Sequence, residues 1–348
     1  MKPNKVYLND EILLDLTQDT AVEEDVLEGK TFHKADGSIA TGTAKIGGDS
    51  PEASVLKGLI EGTLTEISNS DVTNVECGFK KHSELTSVDF PNATKIGDEA
   101  FYGCSKLTSI NFPNVTIIGA KAFWECARLT SANFPNVTTL YYDAFYNCYH
   151  LTSVNFPNVT SLGSRVFYSC DSLTSVIFPK ATSISSNVFE NSNNLVSVDF
   201  PNATSIGYMA FASCNALTSV NAPKVTKLSN SSFFCCYGLT SLDLPKVTSM
   251  GKQEFYQCFS LRSLILRSTT QCTLSNTNSF SSCYHFDGTV NSIYNPNGDK
   301  DGYIYVPSAL VDSYKSATNW STLASQFRAL EDYTVDGTIT GELDPNKI

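Results

Sequence analysis

From Leu85 to Arg267 the apolar residues return with a period of 22. In one unit they fall at Leu151, Val154, Phe156, Val159, Leu162, Phe167 and Cys170, with Thr, Ser and Asn between them. Leu-x-x-Val-x-Phe predicts a short strand with Leu151, Val154 and Phe156 turned inward and Asn155 outward. Pro157 ends that strand, because it has no N–H to give to a ladder. Val159 and Leu162 predict a second short extended piece. Phe167 and Cys170, three apart, predict a single helical turn whose inner face they form. The leading Leu recurs at Leu85, Leu107 and Leu129 and onward to Leu261, and the second Phe recurs from Phe101 to Phe255. A unit this small cannot close a core alone, so it must lay its apolar residues on those of its neighbours. The expected fold is therefore a solenoid in which like side chains form columns and strands of successive coils lie about 4.7–4.9 Å apart. Each buried Phe or Leu contributes roughly 1.5–3 kcal/mol, enough for the stack to stand without metals or disulfides.

Outside the array the pattern changes. Residues 49–84 read as a linker, Ile46-Gly47-Gly48-Asp49-Ser50-Pro51, with an amphipathic helix at 56–64 and a degraded first repeat through Ile67, Val75 and Phe79. A polar, atypical first unit is what a solenoid uses to cover an open end, and Cys77 and His82 belong to it. Repeats are expected over 85–290, with an insertion at 268–276 that brings Phe280 and Cys283 three residues late. Residues 291–348 predict a cap: a hairpin pairing Ile293-Tyr294 with 303–307, a helix at 308–317, and a second helix at 321–330. Residues 1–48 form a separate acidic unit with a hairpin closed by Ala35-Asp36-Gly37-Ser38.

The unit Phe-Pro…Val-Thr-x-Ile-Gly-x-x-Ala-Phe-x-x-Cys-x-x-Leu, carried by eight consecutive copies, resembles the BspA-like leucine-rich repeats of bacterial surface proteins. Its span between Pro and Val-Thr is one residue shorter than that family's usual form. The resemblance implies an α/β solenoid, a right-handed coil of 22-residue repeats between a small β-rich N-terminal module and an α+β C-terminal cap. It also implies adhesion or receptor binding without catalysis. The segment 303–320, Ile-Tyr-Val-Pro…Leu-Val-x-x-Tyr-Lys-x-Ala-Thr-Asn-Trp, resembles the closing element that follows such repeats in gut bacterial and phage proteins, which implies that Tyr314, Trp320 and Phe327 cover the last coil. Leu14, Asp15, Leu16, Thr17, Leu27, Gly29, Thr31, His33, Gly37, Ile39, Gly42 and Thr43 match a small module of tail and baseplate proteins from phages of gut Firmicutes. That likeness implies attachment to other tail or assembly proteins through residues 1–48.

Charge narrows the function classes. A formal net charge of −11 argues against nucleic-acid binding, which needs a basic face. No apolar run approaches the ~18–20 residues of a membrane span. The N-terminus lacks the apolar core of a signal peptide, and the C-terminus shows no sorting signal. These features favour a virion component assembled in the cytoplasm. A bacterial cell-surface adhesin and a purely structural spacer are the alternatives, and a homo-oligomer stays open, although no heptad argues for one.

Candidate chemistry is sparse. Cys104, Cys126, Cys148, Cys170, Cys214, Cys236 and Cys258 share one repeat position, with Ser192 in the gap, and read as a column of buried thiols rather than a disulfide or zinc framework. Asn297-x-Asp299-x-Asp301-Gly302 mimics the start of a calcium loop, but Ser308 stands where the bidentate Glu belongs, so a turn is the better reading. The acidic residues around His33 read as a solvated face and His33 as a packing histidine, ahead of metal binding or catalysis. Asn92, Asn114, Asn136, Asn158 and Asn202 stand in Asn-x-Thr sequons that the repeat generates, and are expected to bond backbone after the Pro. No nucleophile, phosphate-loop or acid/base constellation appears, so neither an enzyme nor a cofactor is expected.

One feature rises above scaffold. The residue after the buried Phe points outward and is Tyr102, Trp124, Tyr146, Tyr168, Phe234 or Tyr256 in six of the coils. Aligned, these form an aromatic stripe able to meet a host surface glycan or protein, or else to shield the coil edges by packing on one another.

Overall fold

The computed structural model describes residues 63–70, 72–75, 77–289, 291 and 293–335, together with the strand backbones Lys5–Leu8, Glu11–Asp15, Thr31–His33, Ile39–Thr41 and Thr338–Ile339. From residue 64 to 329 the chain is one parallel β-solenoid, with a first strand per coil at Glu66–Ser68, Ser87–Asp89 and so on to Ser263–Ile265. Register is set by the repeat: Ser131, Ala132 and Asn133 face Ser153, Val154 and Asn155. A second ladder joins Thr139 and Leu140 to Ser161 and Leu162. The first ladder is interrupted after Ser109–Asn111, Ser153–Asn155 and Ser219–Asn221, and the middle residues there, Ile110, Val154 and Val220, are only partly buried.

The interior is the expected set of columns. Phe101, Phe123, Phe145, Phe167, Phe189, Phe211, Phe233 and Phe255 are fully buried, and adjacent rings stack with centroids 5.0–5.8 Å apart. A second column, Phe90 to Phe200, packs against it edge-on and tilted. Threonines hold the outer rim: Thr116, Thr138 and Thr160 each donate Oγ1–H to the carbonyl of the Thr one coil earlier.

The third side of each coil departs from expectation. It is a run of hydrogen-bonded turns, not a helical turn, although Phe167 and Cys170 do face inward. The reason lies in where the N–H groups go. Asp143, Phe145 and Asn147 donate to the carbonyls of Ser164, Val166 and Tyr168 in the next coil, each at 2.9 Å, so alternate donors leave the coil instead of closing a helix. That geometry needs two left-handed residues per coil, such as Asp143 (φ 59°) and Asn147 (φ 59°), and it recurs from Glu99 to Gln257. Each non-Gly residue there costs about 1–2 kcal/mol, which the inter-coil hydrogen bonds offset.

The thiol column is buried and unpaired as disulfide. Each S–H donates to the carbonyl of the stacked Phe one coil back, as Cys148 does to Phe123 at 3.2 Å. Ser192 makes the same bond to Phe167 at 2.9 Å, which explains how a hydroxyl fits the gap. Burial drives the Cys126, Cys148, Cys170, Cys214 and Cys236 thiols far from ionisation, with Cys104 pushed up to about 12. The sequon asparagines bond backbone, but one coil away rather than in their own turn: Asn114, Asn136 and Asn158 donate to the carbonyls of Pro91, Pro113 and Pro135.

The C-terminal segment continues the solenoid instead of forming the expected hairpin. Tyr303–Val306 pairs parallel with Ser263–Ile265, and Phe327–Ala329 pairs parallel with Tyr303–Val306. Ile304 and Val306 are fully buried, so the alternation that suggested a hairpin strand instead extends the first ladder. The helix expected at 308–317 is Ser308–Leu310 followed by Val311–Ser316; the one expected at 321–330 is a 3-10 turn, Ser321–Gln326, that leads into the last strand. Tyr314, Trp320 and Phe327 pack together at 5.2–5.8 Å and close the end, as the resemblance of this segment implied. In the acidic unit, Thr31–His33 pairs antiparallel with Ile39–Thr41, and the turn expected at Ala35-Asp36-Gly37-Ser38 lies outside the described residues. The amphipathic stretch at 56–62 lies outside the described residues.

Candidate functional site

The turn side of the coils carries the aromatic stripe because every coil places the residue after its buried Phe at the same outward position. Tyr102, Trp124, Tyr146 and Tyr168 are all half-buried and form one stack. Their centroids are 5.9, 3.8 and 4.5 Å apart and their planes lie within 10° of parallel. Lys80 lies over Tyr102 at 5.2 Å, and Lys121 over Trp124 at 5.4 Å. The stack stops where Glu190 replaces the ring; Asn191 donates to the Tyr168 hydroxyl at 2.8 Å there. Phe234 and Tyr256 form a separate pair at 5.1 Å, two coils beyond the break. The structure thus joins four of the six candidates and sets the other two apart.

Stacking has a chemical consequence. The ring faces are spent on one another, so the ladder offers edges and hydroxyls outward. Burial raises the Tyr146 phenol, so it remains a neutral donor. Free aromatic surface comes instead from Tyr141 (48% exposed), Tyr142 (49%), Tyr149 (39%) and Tyr208 (44%). Three of these sit in the coil that also contributes Tyr146 to the ladder. Beneath them Asp143 is buried and forms an ion pair with Arg165 at 2.8 Å; desolvation raises its carboxyl and Arg165 opposes the rise. That pair fixes the turn from which Tyr142 and Tyr146 project.

A shorter stack that was not anticipated runs along the neighbouring column. Tyr237, Phe259 and Tyr284 lie 4.6 and 4.7 Å apart, with Tyr294 against Phe259 at 5.2 Å. The signal was present as Tyr237 and Phe259, 22 apart after the column Cys, but the insertion hid Tyr284. The Asn297–Gly302 loop is a closed turn. Asn295 is buried and bonds Tyr284 O and Asp299 O, while Asp301 is held by His285 at 2.5 Å and Arg262 at 2.5 Å. No group of His, Cys, Asp and Glu among the described residues is arranged to hold a metal ion, and none of their helices is long and apolar enough to cross a membrane.

A parallel solenoid with a leucine-led strand in each coil and an aromatic outer face defines a leucine-rich-repeat protein. The family model of the BspA type leucine rich repeat region matches residues 75–196 and 182–293, more than half of the chain, and the chain belongs to that family. Among solved structures, a leucine-rich-repeat protein of T. pallidum is 30% identical over 42% of this chain and 72% of that one, with a TM-score of 0.40. A leucine-rich-repeat protein of Bacteroides ovatus is 18% identical over 87% and 98%, with a TM-score of 0.44. A leucine rich cell surface protein of Faecalibacterium prausnitzii is 21% identical over 73% and 86%, with a TM-score of 0.34. No curated protein sequence matches the chain.

Proposed function

We propose that this protein is a non-enzymatic adhesion or receptor-binding rod that meets a host cell-surface protein or glycan through the aromatic turn face. The observation that carries this reading is the concentration of Tyr141, Tyr142, Tyr146 and Tyr149 in one coil, three of them exposed, beside the Trp124 stack. Exposed tyrosines on a rigid support are the residues that dominate binding energy at protein interfaces, at little entropic cost. The Ser, Thr and Asn of the strand face are largely spent on inter-coil hydrogen bonds, which suits a scaffold rather than a catalytic surface.

The match of Leu14 to Thr43 with a phage tail module supports placing the rod on a virion tail, with residues 1–48 binding other tail proteins. Membership of the BspA type repeat family supports the alternative, a bacterial cell-surface adhesin. The test is binding of the labelled full chain to intact gut Firmicutes and to epithelial cells, with Tyr142→Ala and Trp124→Ala beside it. A drop of tenfold or more in both variants is expected. Firmicutes-only binding favours the tail and epithelial binding the adhesin; binding unchanged in both variants removes the aromatic face, and no binding anywhere leaves a spacer.

A further inference from the structure

Tyr208 differs from the ladder residues. It projects one position after the column glycine, where Ser186 precedes it and Asn230 follows it, so neither neighbouring coil supplies a ring to cover its faces. It stands 44% exposed at the edge of a groove of about 520 Å³, within the size range of small-ligand sites. The groove exists because the column beside it is Gly207, Ser229, Gly251 and Ser275, where the earlier coil has Tyr141. At Gly251 a Cβ would lie 2.5 Å from Asn230 Oδ1 and 2.6 Å from Asn230 N, so glycine is what lets the two coils meet this closely there.

Of the polar groups lining it, the Ser275 hydroxyl donates to Met250 O at 2.9 Å, while most of the others are unspent. Asn230 gives only its Oδ1, to the Lys252 N–H at 2.9 Å. Its Nδ2, the Ser229 and Ser249 hydroxyls, the Tyr208 hydroxyl and the Lys227 ammonium have no partner among the described residues. Elsewhere on the rod the hydroxyl equivalent to that of Ser229 is used: Ser185 donates to Leu162 O. Charge points the same way. Residues 218–253 carry Lys224, Lys227, Lys246 and Lys252 against one surface carboxylate, Asp243, in a chain of net charge −11. That carboxylate is neutralised by Arg267 at 2.8 Å. The other acid of this region, Glu254, is buried under the groove, bonded to Gly251 N–H and Ser232 N–H.

We infer that the groove beside Tyr208 binds a carboxylate-bearing sugar of a surface glycan. The Tyr208 ring takes the apolar face of the pyranose, Asn230 and the serines take its hydroxyls, and Lys227 takes the carboxylate. This rests on reading the rod as a binding protein but uses a site separate from the aromatic ladder. The test is a titration of the full chain with glucuronate and galacturonate oligosaccharides and sialyllactose, with lactose and inorganic phosphate as controls. Acidic sugars are expected to bind, with affinity falling as salt rises, and at least tenfold more weakly in Tyr208→Ala and Lys227→Gln. Lys227→Arg should retain binding, and Tyr142→Ala should leave it unchanged. Equal binding of lactose, or of phosphate alone, overturns the assignment, as does an acidic-sugar affinity that neither variant lowers. Cell binding that is lost in Trp124→Ala but kept in Tyr208→Ala refutes this site and leaves the ladder reading intact.

Discussion

Replacing Phe145 with Ala tests whether the columns hold the rod together. Phe145 is fully buried, and its ring centroid lies 5.0 Å from Phe123, 5.6 Å from Phe167, 5.8 Å from Phe156 and 6.3 Å from Phe134. Truncating a buried Phe costs about 3–5 kcal/mol. Within that sum the two stacked contacts account for about 0.5–1.5 kcal/mol each. Neighbouring coils cannot collapse into the void, because Phe145 N–H and Phe123 N–H fix the coil spacing through Val166 O and Ala144 O. The value should therefore fall in the upper half of the range. Each coil touches only its neighbours, so the loss must be local. Hydrogen exchange followed by mass spectrometry should show protection falling at 123–167 first, with the coil around Phe255 little changed, while urea unfolding reports the total. A loss under about 1 kcal/mol, or protection lost equally along the rod, refutes the shared-column account.

Three further outcomes follow from the same geometry. Cys148→Ala should cost about 1 kcal/mol by removing one of the two donors to Phe123 O, the other being the Cys126 N–H, whereas Cys148→Ser, mimicking Ser192, should cost less; equal losses in urea unfolding would separate the thiol from any bonding role. Burial pushes Glu254 up to about 8, so the folded state holds a proton that the unfolded chain has lost, and stability should fall as pH rises from the ordinary glutamate range towards about 8. Glu254→Gln should flatten that slope and stabilise the rod at alkaline pH, and parallel Tm–pH curves for the two proteins would contradict it. Met209 adopts φ 50°, so Met209→Asn should raise stability by about 0.5–1 kcal/mol, and an unchanged urea midpoint would count against strain there.

Most of the architecture was legible because stacking demands repetition. Leu, Val and Phe at fixed spacing determine both strand register and core, and the Phe-x-x-Cys pair correctly marked an inward-facing segment. Its conformation was not legible. An i, i+3 apolar pair is equally served by a helix or by successive turns, and the choice depends on N–H groups bonding carbonyls about 21 residues away. Asp143, Arg165 and Met209 in left-handed conformation carry no local signal, since the residue type varies while the φ does not. The C-terminal error had a related cause. Tyr303–Val306 alternates like any strand, and only its partner Ser263–Ile265, 40 residues earlier, distinguishes a further coil from a hairpin. Of the six candidate rings, alignment was readable from the period alone. Their packing on one another was one of the two readings the period left open, whereas the spacing of the stack was not legible, because inter-coil hydrogen bonds set it.

A repeat protein hides its binding chemistry in its irregularities. Residues that obey the period are committed to their counterparts one coil away: Thr to Thr carbonyl, Asn to Pro carbonyl, thiol to Phe carbonyl, ring to ring. A group satisfied by its own neighbours has little left to offer a ligand. Function must then sit where a column breaks register in residue type, as Tyr141 does in the glycine column, and Tyr208 and Lys227 among serines and asparagines. This reasoning favours the exposed tyrosines over the stacked ladder as the contact surface, and gives the ladder the task of holding them rigid. Tyr142→Ala should therefore weaken cell binding more than Tyr168→Ala, although Tyr168 belongs to the longer stack. The reverse order would mean that ring edges in a satisfied column supply the binding energy, and the link between irregularity and function would fail.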